Sequence, residues 1–231
     1  MRKLMLFAAI GLIAFSTDPA RATTITWNLY SSSSPAPNTS LGHSHAFLGS
    51  DASTSITAYA FNIVGGNPAN AGSNADLFNK YASGDPSEQG LGIGTGGDHE
   101  FNTTNFIQLD LASVLALSGL GSNLTLVISS VQSNEGFRIY SSSTLGTLSG
   151  ALVQTVIGNG SNNPGDITTL AIPLSNFSGG NRYLGVTAHS AGDELLKSMS
   201  VTTRAVPEPT TALLLAIGLA SIASKRRDRS A

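Results

Sequence analysis

Three oxygen-bearing side chains, Asp98, Glu100 and Asn102, stand at i, i+2 and i+4 in the segment Gly96-Gly97-Asp98-His99-Glu100-Phe101-Asn102. In extended or looped backbone that spacing aims alternate side chains to one side. Oxygen donors on a glycine-rich loop suit Ca2+, which takes about six to eight oxygens and tolerates irregular geometry. Backbone carbonyls near Gly96, or Asp110 on the strand that follows, would complete such a shell. The same residues also read as a solvated acidic turn, in which Asp and Asn bond their own backbone. The spacing of an EF-hand loop is absent. His43-Ser44-His45 is a second constellation, a His-x-His pair able to hold Zn2+ or Cu2+ on an extended segment. No third ligand can be assigned to it, and a polar loop after Ser-Pro-Ala-Pro is the alternative.

Hydrolytic chemistry finds no support. The nearest approach to a Gly-x-Ser-x-Gly elbow is Ala188-His189-Ser190-Ala191-Gly192, with Ala in place of the first Gly. In the α/β-hydrolase order a His follows the nucleophile and the acid, yet His189 is the last histidine of the chain. A glycosidase needs two carboxylates facing across a cleft. Asp98, Glu100, Glu135, Asp193 and Glu194 qualify by type, but nothing in their spacing pairs them. No catalytic residue is assigned, and a non-enzymatic protein is expected.

The elements that must carry these residues have a period of two. Ile25, Trp27 and Leu29 alternate with Thr and Asn, and Ile107, Leu109 and Leu111 alternate with Gln108 and Asp110. Further strands are predicted over 56–64, 124–131, 137–140, 151–157, 168–174, 183–189 and 195–203, separated by Gly, Asn, Ser and Pro. Only 111–120 reads as a helix. Many short strands with turn signals between them predict an all-β fold, an antiparallel β-sandwich of jelly-roll type. Pro173 places its strand at an edge or breaks it. Residues 31–40 read as a surface loop. Residues 65–97, dense in Gly, Asn, Ser and Pro, read as a long loop anchored by 77–81 and 91–93.

Both ends differ from this body. Arg2 and Lys3 precede a continuous apolar run, Leu4 to Phe15, and Ala20-Arg21-Ala22 offers a small-x-small cleavage site. Residues 1–22 therefore read as a signal peptide with Ala20 and Ala22 at the signal-peptidase site, and residues 23–204 as the sandwich domain. At the other end Pro207-Glu208-Pro209 precedes an apolar stretch over 210–224 and the cluster Lys225-Arg226-Arg227. Fifteen helical residues reach roughly 22 Å, against a hydrocarbon core of about 30 Å. Such a segment pauses in a membrane, with the basic cluster as a cytoplasmic stop. Between the ends, residues 23–209 hold five Lys and Arg against twelve Asp and Glu, a formal net charge of −7. That argues against nucleic acid or an anionic membrane surface as a partner, since both need basic patches, and is compatible with cations or neutral glycans. There is no cysteine, so the body is held by its core alone.

The order of parts in residues 205–231, Pro-Glu-Pro, short apolar helix and basic terminus, resembles the PEP-CTERM sorting signal of exopolysaccharide-producing Gram-negative bacteria. The same tail also goes under the name ice-binding-protein C-terminal domain, although a flat array of regularly spaced Thr is missing. Gly90-Leu91-Gly92-Ile93, the acidic turn to Asn102, Phe106 to Asp110, and Leu195 to Val201 are likewise similar to segments of exported PEP-CTERM proteins. Phe101-Asn102 stands where that pattern has Ile-Asp-Asn. The resemblance implies export by the Sec route and transient anchoring in the inner membrane. It also implies cleavage by an exosortase at Pro207, Glu208 and Pro209, then residence at the cell surface or outside it. It further implies association with exopolysaccharide in a biofilm matrix. A carbohydrate-binding or adhesive module with a defined ligand site, stabilised by calcium, is the alternative. Trp27, Tyr30, Tyr59, Tyr81, Tyr140 and Tyr183 are the aromatics available to stack on sugar.

Overall fold

Apolar residues at every second position have to be covered on one face, and here two sheets cover each other. The structure is a computed structural model that describes residues 22–94, 97–132, 134–158, 166–189, 192–204 and 217–218. Numbered along the chain, seven strands form the first sheet: β1 (Thr23–Asn28), β2 (Thr39–Gly42), β6 (Leu77–Tyr81), β7 (Gln89–Ile93), β9 (Leu120–Ser129), β12 (Thr168–Pro173) and β14 (Leu195–Thr203). The second sheet has β3 (Ser44–Leu48), β4 (Ser55–Asn62), β5 (Ser73–Ala75), β8 (Asn105–Asp110), β10 (Gly136–Ser142), β11 (Ala151–Ile157) and β13 (Tyr183–Ala188). Their orders are β12-β9-β14-β7-β6-β2, with β1 also on β14, and β11-β10-β13-β8-β4-β3, with β5 on β4. Every strand pair is antiparallel. From β7 onward the chain changes sheet at almost every connection, the crossing pattern of a jelly roll.

The core lies between the sheets. Trp27, Leu126, Ile128, Met199 and Leu196 from the first sheet and Ile56, Ile107, Leu109, Phe137 and Val186 from the second belong to one buried cluster. Each large side chain removed from water in this way contributes about 1.5–3 kcal/mol. A smaller cluster of Phe61, Phe106 and Leu148 covers part of the second sheet from another side. There the buried Gln108 amide accepts from the Gly146 N–H at 2.6 Å and donates to the Thr147 carbonyl at 2.8 Å, fastening that loop. Pro173 ends β12, an edge strand of its sheet, where a missing N–H leaves no partner unbonded. The helix of the 111–120 region is one turn, α1 (Ala112–Leu115).

Residues 65–97 differ from the loop expected of them. They contain β5, β6 and β7 and a 3-10 turn at Pro86–Glu88. Gly90 and Gly92 hide β7 from propensity reasoning, and both are required by close packing. A Cβ on Gly92 would stand 1.8 Å from the His99 carbonyl oxygen, and one on Gly90 would stand 2.6 Å from the Leu195 Cβ. The strand β2 likewise begins before residue 40, inside the expected 31–40 loop.

That loop is tied down by one buried side chain. The Asn79 amide accepts from the Ser31 N–H at 3.0 Å and donates to the carbonyls of Ser31 at 3.0 Å and Ala36 at 2.9 Å. Asn79→Leu keeps the volume and strands these backbone groups, so we expect a loss of about 1–3 kcal/mol. Urea denaturation of the two proteins is the measurement; equal midpoints would show that the loop contributes nothing.

Candidate functional site

Acidic side chains far apart in sequence meet at an open cleft of about 270 Å3. Lys80 comes from β6, and Glu88 from the 3-10 turn before β7. Asp98 and Glu100 come from the connection between β7 and β8, and Glu135 from that between β9 and β10. Asp193 directly precedes β14, and Ser130 and Gln132 add neutral polar groups. His99 and Ser130, at φ of +58° and +62°, hold left-handed backbone on two of these connections, a conformation that non-glycine residues adopt at some cost.

One lysine serves five lining carboxylates. The Lys80 ammonium lies 2.5 Å from Glu100 Oε1 and 2.6 Å from Glu88 Oε2. Burial works against its charge, but these two carboxylates outweigh it and hold its pKa above the usual lysine range. Glu100, whose side chain is 7% exposed, is pushed up to about 7 by burial, with Lys80 opposing and Glu88 adding to the rise. Ser130 Oγ also donates to Glu100, at 3.1 Å. Burial raises Glu135 as well, against the Gln132 N–H that it accepts at 2.7 Å. Asp193 is raised by burial and then by the charge of Asp98.

Behind the cleft lies Glu194, fully buried. Its backbone bridges Phe101, each donating an N–H to the other's carbonyl at 3.0 Å. Neither of its carboxylate oxygens has a hydrogen-bond partner. Burial, then the charge of Glu135, pushes its pKa up to about 9; the Gly136 amide opposes this in part without closing a hydrogen bond. The carboxylate folds back over Gly192, where a Cβ would come within 2.1 Å of Glu194 Oε1 and 3.3 Å of the Glu135 Cβ.

The i, i+2, i+4 triplet is thus divided. Asp98 and Glu100 both line the cleft. Asn102 instead accepts from the Thr104 N–H at 2.9 Å and hydroxyl at 2.6 Å, the local turn bonding of the alternative reading. Asp110 faces Arg182 at 2.8 Å and caps Ala112. Gly96 lies outside the described residues. Glu88, Glu135, Asp193 and Glu194 join Glu100 through tertiary structure. The only local signal was Asp193-Glu194 placed directly before an apolar strand. His43 and His45 are held apart by different neighbours. His43 Nδ1 lies 3.3 Å from the Ala75 carbonyl and its ring meets Phe61 edge-on, while His45 meets Phe47. Among the described residues no three His, Asp or Glu already stand at the spacing of a closed metal shell.

The aromatics divide too. Trp27 is buried and donates its indole N–H to the Thr54 carbonyl at 3.2 Å. Tyr183 is buried, and Tyr59 and Tyr140 pack on the smaller cluster. Half-buried Tyr30 and Tyr81 stack at 6.4 Å, with the Lys197 ammonium 5.4 Å from the Tyr30 ring.

Of the two ends, Ala22 is described and exposed. Ala20, Pro207, Glu208, Pro209, Lys225, Arg226 and Arg227 lie outside the described residues, as does the apolar segment apart from helical Ile217 and Gly218. Among the described residues no helix is long and apolar enough to cross a membrane. The matching of this tail to a known motif decides its character. Residues 205–227 are a PEP-CTERM protein-sorting motif. The PEP-CTERM motif marks an exported protein sorted by an exosortase. Among curated proteins, none matches the chain. A solved carbohydrate-binding module of Cellvibrio mixtus lichenase 5A, in complex with cellotriose, is similar over 78% of this chain and 95% of its own, with 11% identity and a TM-score of 0.27.

The raised acids make stability pH-dependent. Unfolded, Glu194 and Glu100 ionise near the ordinary value of 4.5; folded, near 9 and 7. Across that window the folded protein binds more protons, so stability falls as pH rises. The charged groups facing Glu194 are Glu135, Asp193 and Glu100. In metal-free buffer Glu194→Gln should flatten the profile and be the more stable protein at about pH 8. Urea midpoints from about pH 5 to pH 9 measure it, and parallel profiles would refute the assignment.

Proposed function

We propose that the chain is a non-enzymatic surface or extracellular-matrix protein, delivered by its two ends and associated with exopolysaccharide. The PEP-CTERM motif behind a β-sandwich body carries this reading. The leader takes the chain through the Sec route, and signal peptidase cuts after Ala22. The apolar stretch over 210–224 pauses in the inner membrane. Pro207 and Pro209 keep the recognition segment extended, because proline resists helix and lacks an N–H. Glu208 gives the exosortase a charge to read, and Lys225, Arg226 and Arg227 stop the tail from slipping through. β1 pairs with β14 from Thr23↔Thr203 to Asn28↔Ser198. Both trimmed ends of the body are thereby fixed in one sheet, so neither cut disturbs a strand. Intact mass of the protein from fractions of its native host should show Thr23 at the start and an end near Pro207 to Pro209. Untrimmed chains dissolved in the cytosol would overturn the reading.

The second reading, a carbohydrate-binding module with a defined site, is favoured by the Tyr30–Tyr81 pair. Half-buried rings present a face on which a sugar ring stacks, and Lys197 supplies a donor beside them. In pull-down on the native polysaccharide, Tyr30→Ala and Tyr81→Ala should each lose binding by about tenfold, as expected for an aromatic anchor. Retention of full binding by both variants leaves passive matrix occupancy as the account.

A further inference from the structure

Each buried polar atom left without a partner among the described residues belongs to His99, Asp166 or Glu194. Each is linked, through the chain or through charge, to acids that line the cleft. His99 stands between Asp98 and Glu100, which line it. Asp166 accepts the Val131 N–H at 3.1 Å and its charge acts on Glu135. Glu194 is fully buried, and its carboxylate lies over Gly192 beside Glu135, with Asp193 and Glu100 as its other charged neighbours.

A buried carboxylate with two unbonded oxygens can be relieved by a proton or by a cation. A proton neutralises Glu194 alone and leaves the neighbouring acids charged beside one another. A cation engages the oxygens and relieves the neighbouring acids at the same time. The cleft has room for it and for its waters, at about 270 Å3. The Lys80 ammonium is engaged by Glu88 and Glu100, and its charge offsets Asp193 less than burial and Asp98 raise it.

We infer that this cleft binds a calcium ion through Glu194, Glu135 and Asp193, with Glu100 and Asp98 on its rim. The donor set is oxygen alone, drawn from connections of different length, which suits calcium over the stricter octahedron of magnesium. Because these carboxylates do not yet stand at ligand spacing, binding draws Glu135 and Asp193 toward Glu194. Asn102, occupied by Thr104, takes no part. This distinguishes the cleft from a site built on the i, i+2, i+4 triplet.

The test is calorimetric titration of CaCl2 into the full chain after chelator treatment, with thermal unfolding alongside. Saturable binding and a higher unfolding midpoint are expected, with no such rise in NaCl of equal ionic strength. Glu194→Gln should weaken binding by at least about tenfold, Asp193→Asn should weaken it in the same direction, and Asn102→Ser should leave it unchanged. If Glu194→Gln does not fold, Asp193→Asn decides. Absence of binding by the wild-type chain, an equal rise in NaCl, undiminished affinity in both acid variants, or loss of binding in Asn102→Ser would each overturn the inference.

Discussion

The cleft depends on a close approach of backbones over β7. Gly90 and Gly92 let the body of Leu195 and the His99 carbonyl come nearer than any Cβ would permit. Phe101 and Glu194 can then form their two-way bridge, and the acids on either side of that bridge are carried inward with the backbone. Larger residues at positions 90 and 92 would lift the 97–101 connection off the sheet. Glu100 and Glu194 would then regain water, and their raised pKa values would relax toward the ordinary range.

This approach gathers charge where the chain has little to answer it. Of the twelve acids in residues 23–209, Glu88, Asp98, Glu100, Glu135, Asp166, Asp193 and Glu194 all stand at or beside the cleft. Among the described residues Lys80 is the one basic residue lining it. Lys197 is turned toward the Pro86 carbonyl and the Tyr30 ring. Its own pKa is lowered by burial, with the charge of Asp85 opposing. The net charge of the body is therefore a local property, concentrated by the fold on one group of connections. A sheet surface with the same composition spread evenly would keep its acids hydrated and at ordinary pKa values.

The sandwich itself was legible because its longer strands follow the period of two. Ile25 and Trp27, and Ile107 and Leu109, point inward as their alternation requires, and Leu124, Leu126 and Ile128 are buried in a run that reads as apolar on both faces. Pro173 correctly marked an edge. The strands β5, β6 and β7 were hidden, since three to five residues with glycine or asparagine among them carry no periodic signal. Trp27 counted among the sugar-stacking candidates by residue type alone, whereas its alternation with Thr26 and Asn28 puts it on the buried face. In the cleft, Asp98 and Glu100 were visible as a local pattern. Their partners were not, because Glu88, Glu135 and Glu194 reach them only through sheet pairing and crossovers. Asn102 fitted the same local pattern but spends its oxygen on Thr104. Spacing cannot tell an available donor from one already used.

The two ends and the body solve separate problems, and the absence of cysteine connects them. An exported domain without disulfides has to stay folded on its own packing. This one has a continuous core, yet it also buries a carboxylate without a partner, a combination that packing alone opposes. Such a group persists where some other interaction relieves it: a proton at low pH, or a cation where cations are abundant. The pairing of β1 with β14 joins the two ends of the body, so it forms only when both are present. The last strand is entered from Glu194 and its bridge to Phe101, so one connection serves both the first sheet and the acidic cleft. Folding is thereby coupled to the surroundings in which the complete body finds itself, and the ionic conditions there enter directly into its stability.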